Sequence, residues 1–378
     1  MGMSGASLLA RVWQPGLGPC IARVDGDQLT DVTSTFATAR DLCESDDPAG
    51  ALRAARGAAL GPVADILANT APDGRDPSRP WLLAPIDLQA IKAAGVTFVV
   101  SMLERVIEER ARGDADAAQS IRTHIQDLVG SDLRKLKPGS PEAAALKETL
   151  IRAGAWSQYL EVGIGPDAEI FTKGQPLSAV GTMMEVGVHP KSTWNNPEPE
   201  VVLVVSSKGR IVGATLGNDV NLRDVEGRSA LLLGKAKDNN AATAVGPFVR
   251  LFDKGFALDD VRRIELSLSV EGTDGFRMTG RSSIAEISRD PADLVAQAIN
   301  AHHRYPDGLV LFLGTMFAPV EDRDVPGRGF THKTGDRVTI ACPELGELVN
   351  RVAPTDVAAA WDFGAADLMR NLAGRGLL

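Results

Sequence analysis

Apolar and polar positions alternate in short runs over most of the chain, and turn residues separate the runs. Between Leu8 and Thr33, ARVWQ and IARV are followed by Asp25-Gly26 and then DQLTDVT, which predicts short strands joined by a tight hairpin. Asp41 to Ala68 is alanine-rich and predicts helix, whereas NTAPDGRDPSRPW is dense in Pro, Gly and Asp and predicts a linker over about residues 70–88. AIKAAGVTFVV predicts a strand. After it, Leu103, Val106 and Ile107, then Ile121, Ile125 and Leu128, recur at helical spacing and predict two helices. Ser140-Pro141-Glu142 suits the start of a further helix and Gly154 its stop. From about Glu161, the runs EIFTKG, MEVGVHP, PEVVLVV, RIVGATLGNDV, AVGPFVRLF, RIELSLSV, GLVLFLGT and DRVTIACP predict a mostly antiparallel β architecture, with one helix over Pro291 to His303. The expected fold is α+β. It has a small N-terminal unit and linker over residues 1–88, and a larger β-roll or sandwich domain over 89–378 with a helical insertion at about 102–153.

Composition narrows the function. Forty Lys and Arg against 49 Asp and Glu give a net charge of −9 over 378 residues, which disfavours phosphate backbones and anionic lipid, so nucleic acid and membrane partners are not expected. Cys20, Cys43 and Cys342 are odd in number and far apart, so neither a disulfide framework nor a zinc knuckle is expected. Apolar runs such as Val201 to Val205 are far shorter than a membrane helix, and MGMSGAS lacks the blocks of a signal peptide. The expected setting is the cytoplasm.

Several motifs fail on spacing. Six residues, not four, separate Gly234-Lys235 from Gly227, and Ala236 replaces the Ser or Thr, so it is not a phosphate loop. Asp219, Asn221 and Asp224 imitate a calcium loop, but Arg223 takes the fifth position and no Gly the sixth. Gly163 and Gly165 precede Pro166 and form no dinucleotide fingerprint. His124, His189, His302, His303 and His332 have no zinc-protease or serine-hydrolase context and suit surface or loop positions. The run Glu104, Arg105, Glu108, Glu109, Arg110 suits a solvated helix face with i,i+4 pairs.

TWNNPEPEVVLVVSSKGRIVGATLGNDVNLRD is more informative. Glu198 and Glu200, two apart at the start of an apolar strand, face the same side of a sheet. A Lys208-Gly209 turn leads to a return strand that brings Asp219 back towards them. Close carboxylates repel unless a cation offsets the charge, and three oxygen donors without a soft ligand suit Mg²⁺ or Mn²⁺. An acidic strand edge that discourages aggregation is the competing explanation of Glu-x-Glu.

Taken together, EPE opening a strand, GNDV closing the next, RD soon after, a Lys before AVGPFV, then GLVLFLGT and KTGDRVTIACPELGELVNRV resemble the catalytic domain of the fumarylacetoacetate hydrolase superfamily over roughly residues 160–352, with a weaker match at AAGVTFVVS. AEIFTKGQPLSAVG and WNNPEPEVVLVV look most like its 2-keto-3-deoxy-D-arabinonate dehydratases, which convert a 2-keto-3-deoxypentonate to 2-oxoglutarate semialdehyde. The resemblance implies metal ligands Glu198, Glu200 and Asp219, with Mg²⁺ as cofactor and Mn²⁺ or Ca²⁺ as substitutes. It implies Glu169 and Lys237 as the catalytic pair, with Lys235 the competing lysine, and Thr315, Lys173 and Ser101 at the substrate. The pair's leading assignment is Lys237, with a lowered pKa, as base and Glu169 as acid; the roles can be exchanged. Hydrolase members use a histidine near the start of this domain, where AAGVTFVV here leads to Ser101, and this favours dehydration over C–C cleavage. The implied partner is a small anionic 2-keto acid, and the implied assembly a homodimer or homotetramer. The alternatives are a hydrolase of 2,4-diketo acids and a non-catalytic sugar-acid-binding protein.

Overall fold

The computed structural model of the chain describes residues 3, 5–112, 136–152, 156–317, 319, 321–326 and 329–378. The expected helix through Ile121, Ile125 and Leu128, together with His124 and the Gly154 stop, lies outside them.

The architecture is two packed sheets. The larger has 11 strands, in the order Ala58–Pro62, Gln28–Asp31, Gly18–Asp25, Leu8–Gln14, Thr243–Leu251, Ile211–Asp219, Pro199–Val205, Leu309–Phe312, Ala90–Gly95 and Glu169–Gly174, with Trp81–Leu83 also paired to Leu8–Gln14. The smaller has five, in the order Arg277–Ser283, Glu265–Glu271, Arg337–Cys342, Gly346–Pro354 and Glu185–Val188. Pairing is antiparallel except between Leu309–Phe312 and Ala90–Gly95 and between Gly346–Pro354 and Glu185–Val188.

Pro199–Val205 shows how the sequence places itself. Val202 and Val204 join one core, beside Leu42 and Leu52 of the short N-terminal helices; Val201, Leu203 and Val205 join the other, beside Leu268, Ile340 and Leu348 of the smaller sheet. The strand is therefore apolar on both faces, as a central strand between two layers must be. Each such aliphatic side chain contributes about 1.5–3 kcal/mol on burial. The N-terminal segment shares this sheet and core: Leu8 pairs with Arg250 and Leu9 with Val249, and Leu9 and Ile21 pack with Val202.

Three local expectations change. The alanine-rich stretch breaks into helices Ala39–Glu44, Pro48–Ala54 and Val63–Ala68 around an edge strand, Ala58–Pro62, because Pro48, Gly57 and the Gly61-Pro62 pair interrupt helix. AIKAAGVTFVV is strand only to Gly95. Val96 turns with φ at 57°, and Val99 already belongs to the helix Val99–Ala111. The helix after Pro291 stops at Ala298. The expected hairpin forms, with Gly26 at φ 63° between Asp25 and its partner Gln28. No helix among the described residues is long and apolar enough to cross a membrane. Val99–Ala111, Pro141–Arg152 and Gln158–Ile164 share a third core through Met102, Val106, Leu150 and Leu160, which also takes in Trp194.

Candidate active site

The site is built on the hairpin of Pro199–Val205 and Ile211–Asp219. Glu200 lies opposite Gly217, and the Asp219 N–H donates to the Glu198 carbonyl at 3.0 Å, so three carboxylates converge at one end of the ribbon. Glu198, Glu200 and Asp219 are 5%, 2% and 2% exposed, and one oxygen from each lies within 4.8 Å of the others.

Cations from three elements meet them. Lys237, the last residue of the helix Leu233–Lys237, places Nζ 2.6 Å from Glu198 Oε2 and 3.1 Å from Asp219 Oδ2. Lys173, on Glu169–Gly174, lies 3.1 Å from Asp219 Oδ1 and donates to the carbonyls of Val220 and Lys237. Arg105, from Val99–Ala111, bridges Glu198 at 2.5 Å and Glu226 at 3.0 Å. Glu104 pairs with Arg223 at 3.3 Å, and the Arg223 guanidinium stacks 4.3 Å over Trp194. The run expected as a solvated helix face thus sends Glu104 and Arg105 inward. Nothing local in the helix signals this, because the reason is an acidic cluster nearly a hundred residues away.

Glu169 lies opposite Gly95 in the strand pair, and its carboxylate folds over that glycine: a Cβ on Gly95 would stand 2.1 Å from Glu169 Oε2. Burial, helped by Glu226, pushes its pKa up to about 7 against the pull of Arg105 and Lys237. Burial drives Glu200 well above the ordinary carboxylate range, and Asp219 and Glu198 add to the effect; its Oε2 accepts the Gly314 N–H at 2.6 Å. For Glu198 burial pulls the other way, but Lys237 and Arg105 outweigh it and hold the group low. Burial would lower Lys237, yet Asp219, Glu198 and Glu226 together raise it.

Of the expected residues, Glu198, Glu200, Asp219, Glu169 and Lys237 come together. Lys235, the competing lysine, is exposed. Thr315 sits beside Gly314 and accepts the Phe317 N–H at 3.0 Å. Two positions differ from expectation. Lys173 is fully buried as the counter-ion of Asp219, beneath the site, because its side chain runs inward from a strand. Ser101 donates to the carbonyl of Phe98, the residue just before its own helix, at 2.9 Å, because the chain has already turned helical there. The low Lys237 pKa needed for a base is not what the cluster produces. His332, expected at a surface or loop position, lies in a loop but is buried, with Nδ1 3.3 Å from Asp336 Oδ2.

The residues fit a hard divalent cation. Among the described residues, Glu198, Glu200 and Asp219 crowd together at one end of the hairpin, and burial, with the neighbouring Asp219 and Glu198 charges adding to it, is what raises the Glu200 pKa, a combination that a bound cation would relieve. The donor atoms are all oxygen.

Two packed sheets with an oxygen-only cage at the end of a central hairpin, a lysine and a near-neutral carboxyl beside it, define a protein class organised around such a cation. The chain belongs to the fumarylacetoacetate (FAA) hydrolase C-terminal family, whose model matches residues 161–353, just over half of it. It is 30% identical over 194 residues, 51% of the chain, to a probable 2-keto-3-deoxyxylonate dehydratase of Haloferax volcanii. It is 32% identical over 187 residues, 49% of the chain, to a 2-dehydro-3-deoxy-D-arabinonate dehydratase of Saccharolobus solfataricus. The matches span 63% and 58% of those relatives. In fold it is similar to a solved 2-keto-3-deoxy-D-arabinonate dehydratase complexed with magnesium and 2,5-dioxopentanoate, with a TM-score of 0.61 at 19% identity, over 92% of this chain and 99% of that one.

Proposed function

We propose that the protein is a divalent-cation-dependent dehydratase that converts a 2-keto-3-deoxypentonate to 2,5-dioxopentanoate, the semialdehyde of 2-oxoglutarate. The observation that carries this reading is the buried Glu198–Glu200–Asp219 cage with Glu169 and Lys237 at its edge. The names of the two curated relatives and of the similar structure support the substrate class.

Glu198, Glu200 and Asp219 would hold Mg²⁺, or Mn²⁺ or Ca²⁺ in its place. When bound, the ion supplies an anchor for the keto-acid head and the Lewis acidity that makes its C3 protons labile. The chain's own groups move the protons. Glu169, with a pKa of about 7, is matched to removing a C3 proton near neutral pH. Lys237, held charged by Glu198 and Asp219, is the donor to the C4 hydroxyl, so the favoured assignment is the exchanged one. As the C3–C4 double bond forms, the C4–O bond breaks and the protonated hydroxyl leaves as water. C5 then loses a proton and C3 regains one; the double bond moves to C4–C5, and the resulting enol tautomerises to the aldehyde. Thr315 would meet the substrate carboxylate; its position next to the Gly314 amide, which donates to Glu200, supports that role.

The test is a substrate panel in Mg²⁺ with product identification by mass spectrometry. Appearance of 2,5-dioxopentanoate from 2-keto-3-deoxy-D-arabinonate or the corresponding xylonate derivative supports the reading. Pyruvate from a 2,4-diketo acid, with no semialdehyde from either pentonate, overturns it in favour of C–C hydrolysis.

A further inference from the structure

The two strands that carry the carboxylates continue past them in the same register. Glu200 lies opposite Gly217 and Pro199 opposite Asn218; beyond Pro197 and Val220, pairing resumes with Asn196 opposite Asn221 and Asn195 opposite Leu222. The Asp224 N–H then reaches the Trp194 carbonyl at 3.2 Å. Side chains two residues apart share a face. Glu198 with Asp219 and Asn196 with Asn221 are therefore successive rungs on one face; beyond them the register slips by one and the chain turns helical at Arg223. The first rung is the carboxylate cage, and the Arg223 stack on Trp194 closes the ladder beyond the second.

The second rung is chemically incomplete. Asn196 is 2% exposed and Asn221 0%. Among the described residues, Asn196 Oδ1, both Oδ1 and Nδ2 of Asn221, and the neighbouring Trp194 Nε1 are buried without a hydrogen-bond partner. The one bond from this amide pair among the described residues runs from Asn196 Nδ2 to the Pro197 carbonyl, at 2.9 Å. An unpartnered buried amide weakens a fold where leucine would not. Facing amides in that state, one rung from a cage for an oxygen-rich ligand, are accounted for when the ligand brings their partners.

We propose that Asn196 and Asn221 form the subsite for the terminal C5 hydroxyl of the substrate and so select hydroxylated 2-keto acids over plain ones; this rests on the dehydratase reading. The amide oxygen accepts from a hydroxyl and the amide nitrogen donates to it, a match for a neutral alcohol. The reach agrees: four bonds of about 1.5 Å in a zigzag carry the chain about 5 Å from C2 to the C5 oxygen. Rungs on one face stand about 6–7 Å apart.

Asn221→Leu keeps the volume and removes the polar atoms, and Asn196→Leu reads the same rung from the other strand should the first variant not fold. Three quantities are measured for each: melting temperature, Mg²⁺-dependent binding of pyruvate, which has the keto-acid head alone, and KM for 2-keto-3-deoxy-D-arabinonate. The expected variant melts at or above wild type and binds pyruvate normally, and its KM for the pentonate rises about tenfold. A parallel loss of pyruvate binding, or a lower melting temperature with unchanged KM, makes the pair structural and overturns the proposal. Wild-type protein that neither binds pyruvate nor turns over a pentonate removes the dehydratase reading itself. Wild-type turnover with unchanged KM in both variants removes only the subsite.

Discussion

Gly95 has no side chain because Glu169 occupies the space, and Gly95→Ala tests what that placement contributes. A Cβ there would lie 2.1 Å from Glu169 Oε2, 2.7 Å from Cδ and 3.3 Å from Cγ, whereas ordinary contact begins at 3.4 Å. The carboxylate oxygen must therefore retreat by about 1.3 Å, the difference between contact and overlap. The backbone at Gly95 is not in the left-handed region and accepts alanine. What gives way is the end of a flexible side chain, so the cost in stability is about 0.5–1.5 kcal/mol, that of an off-rotamer torsion. Catalysis is less forgiving. A displacement of about 1 Å in a proton-transfer group costs about a hundredfold in rate, equivalent to about 2.7 kcal/mol in the barrier. The assay pairs kcat for the pentonate with Mn²⁺ affinity and melting temperature. The expected result is a kcat lowered about a hundredfold with metal binding and melting near wild type. A wild-type kcat in a properly folded Gly95→Ala protein would refute the placement of Glu169 in the mechanism.

Other expectations follow from the charges. Glu169, as the base, makes kcat rise with pH through about 7, and Glu169→Gln abolishes the limb; a fall over the same range would make Glu169 the donor. The same raised pKa means that folded protein holds a proton which the unfolded chain releases near its ordinary value of 4.5, so stability declines as pH climbs from there to about 7. In chelator at pH 8, Glu169→Gln should melt at or above wild type, with the difference closing in acid. Arg105→Met leaves Glu198 and Glu226 without their bridging cation and should cost about 3–5 kcal/mol at neutral pH by denaturant titration. Because Glu198 is held low in the native protein, this loss should shrink as pH falls below the ordinary 4.5, and a pH-independent difference would contradict the ion-pair account.

The legible parts of this protein are those where period and spacing act locally. Alternation alone puts Glu198 and Glu200 on one face, and the Lys208-Gly209 turn brings Asp219 to them. Glu169 and Lys237 have no such local mark and became visible only through resemblance. Arg105 escaped because a charged helix face has the same pattern whether water or buried carboxylates lie opposite. The edge strand Arg277–Ser283 escaped for the related reason that its alternate positions are solvated and nearly all polar or glycine. In the alanine-rich segment helix propensity competes with pairing to Gln28–Asp31, and over Ala58–Pro62 the sheet wins. Asn196 and Asn221 look like loop residues until the register shows them continuing the ladder of the cage.

The central claim is that three carboxylates on one hairpin hold a single cation that the reaction requires. It is tested most directly by titrating metal-free wild type and Glu200→Gln with Mn²⁺ by calorimetry, while following 2,5-dioxopentanoate formation at each metal ratio. One ion per chain, with product formation tracking its occupancy and both lost together in Glu200→Gln, is the predicted result. Equal Mn²⁺ binding by the two proteins, or full product formation in excess chelator, would contradict it.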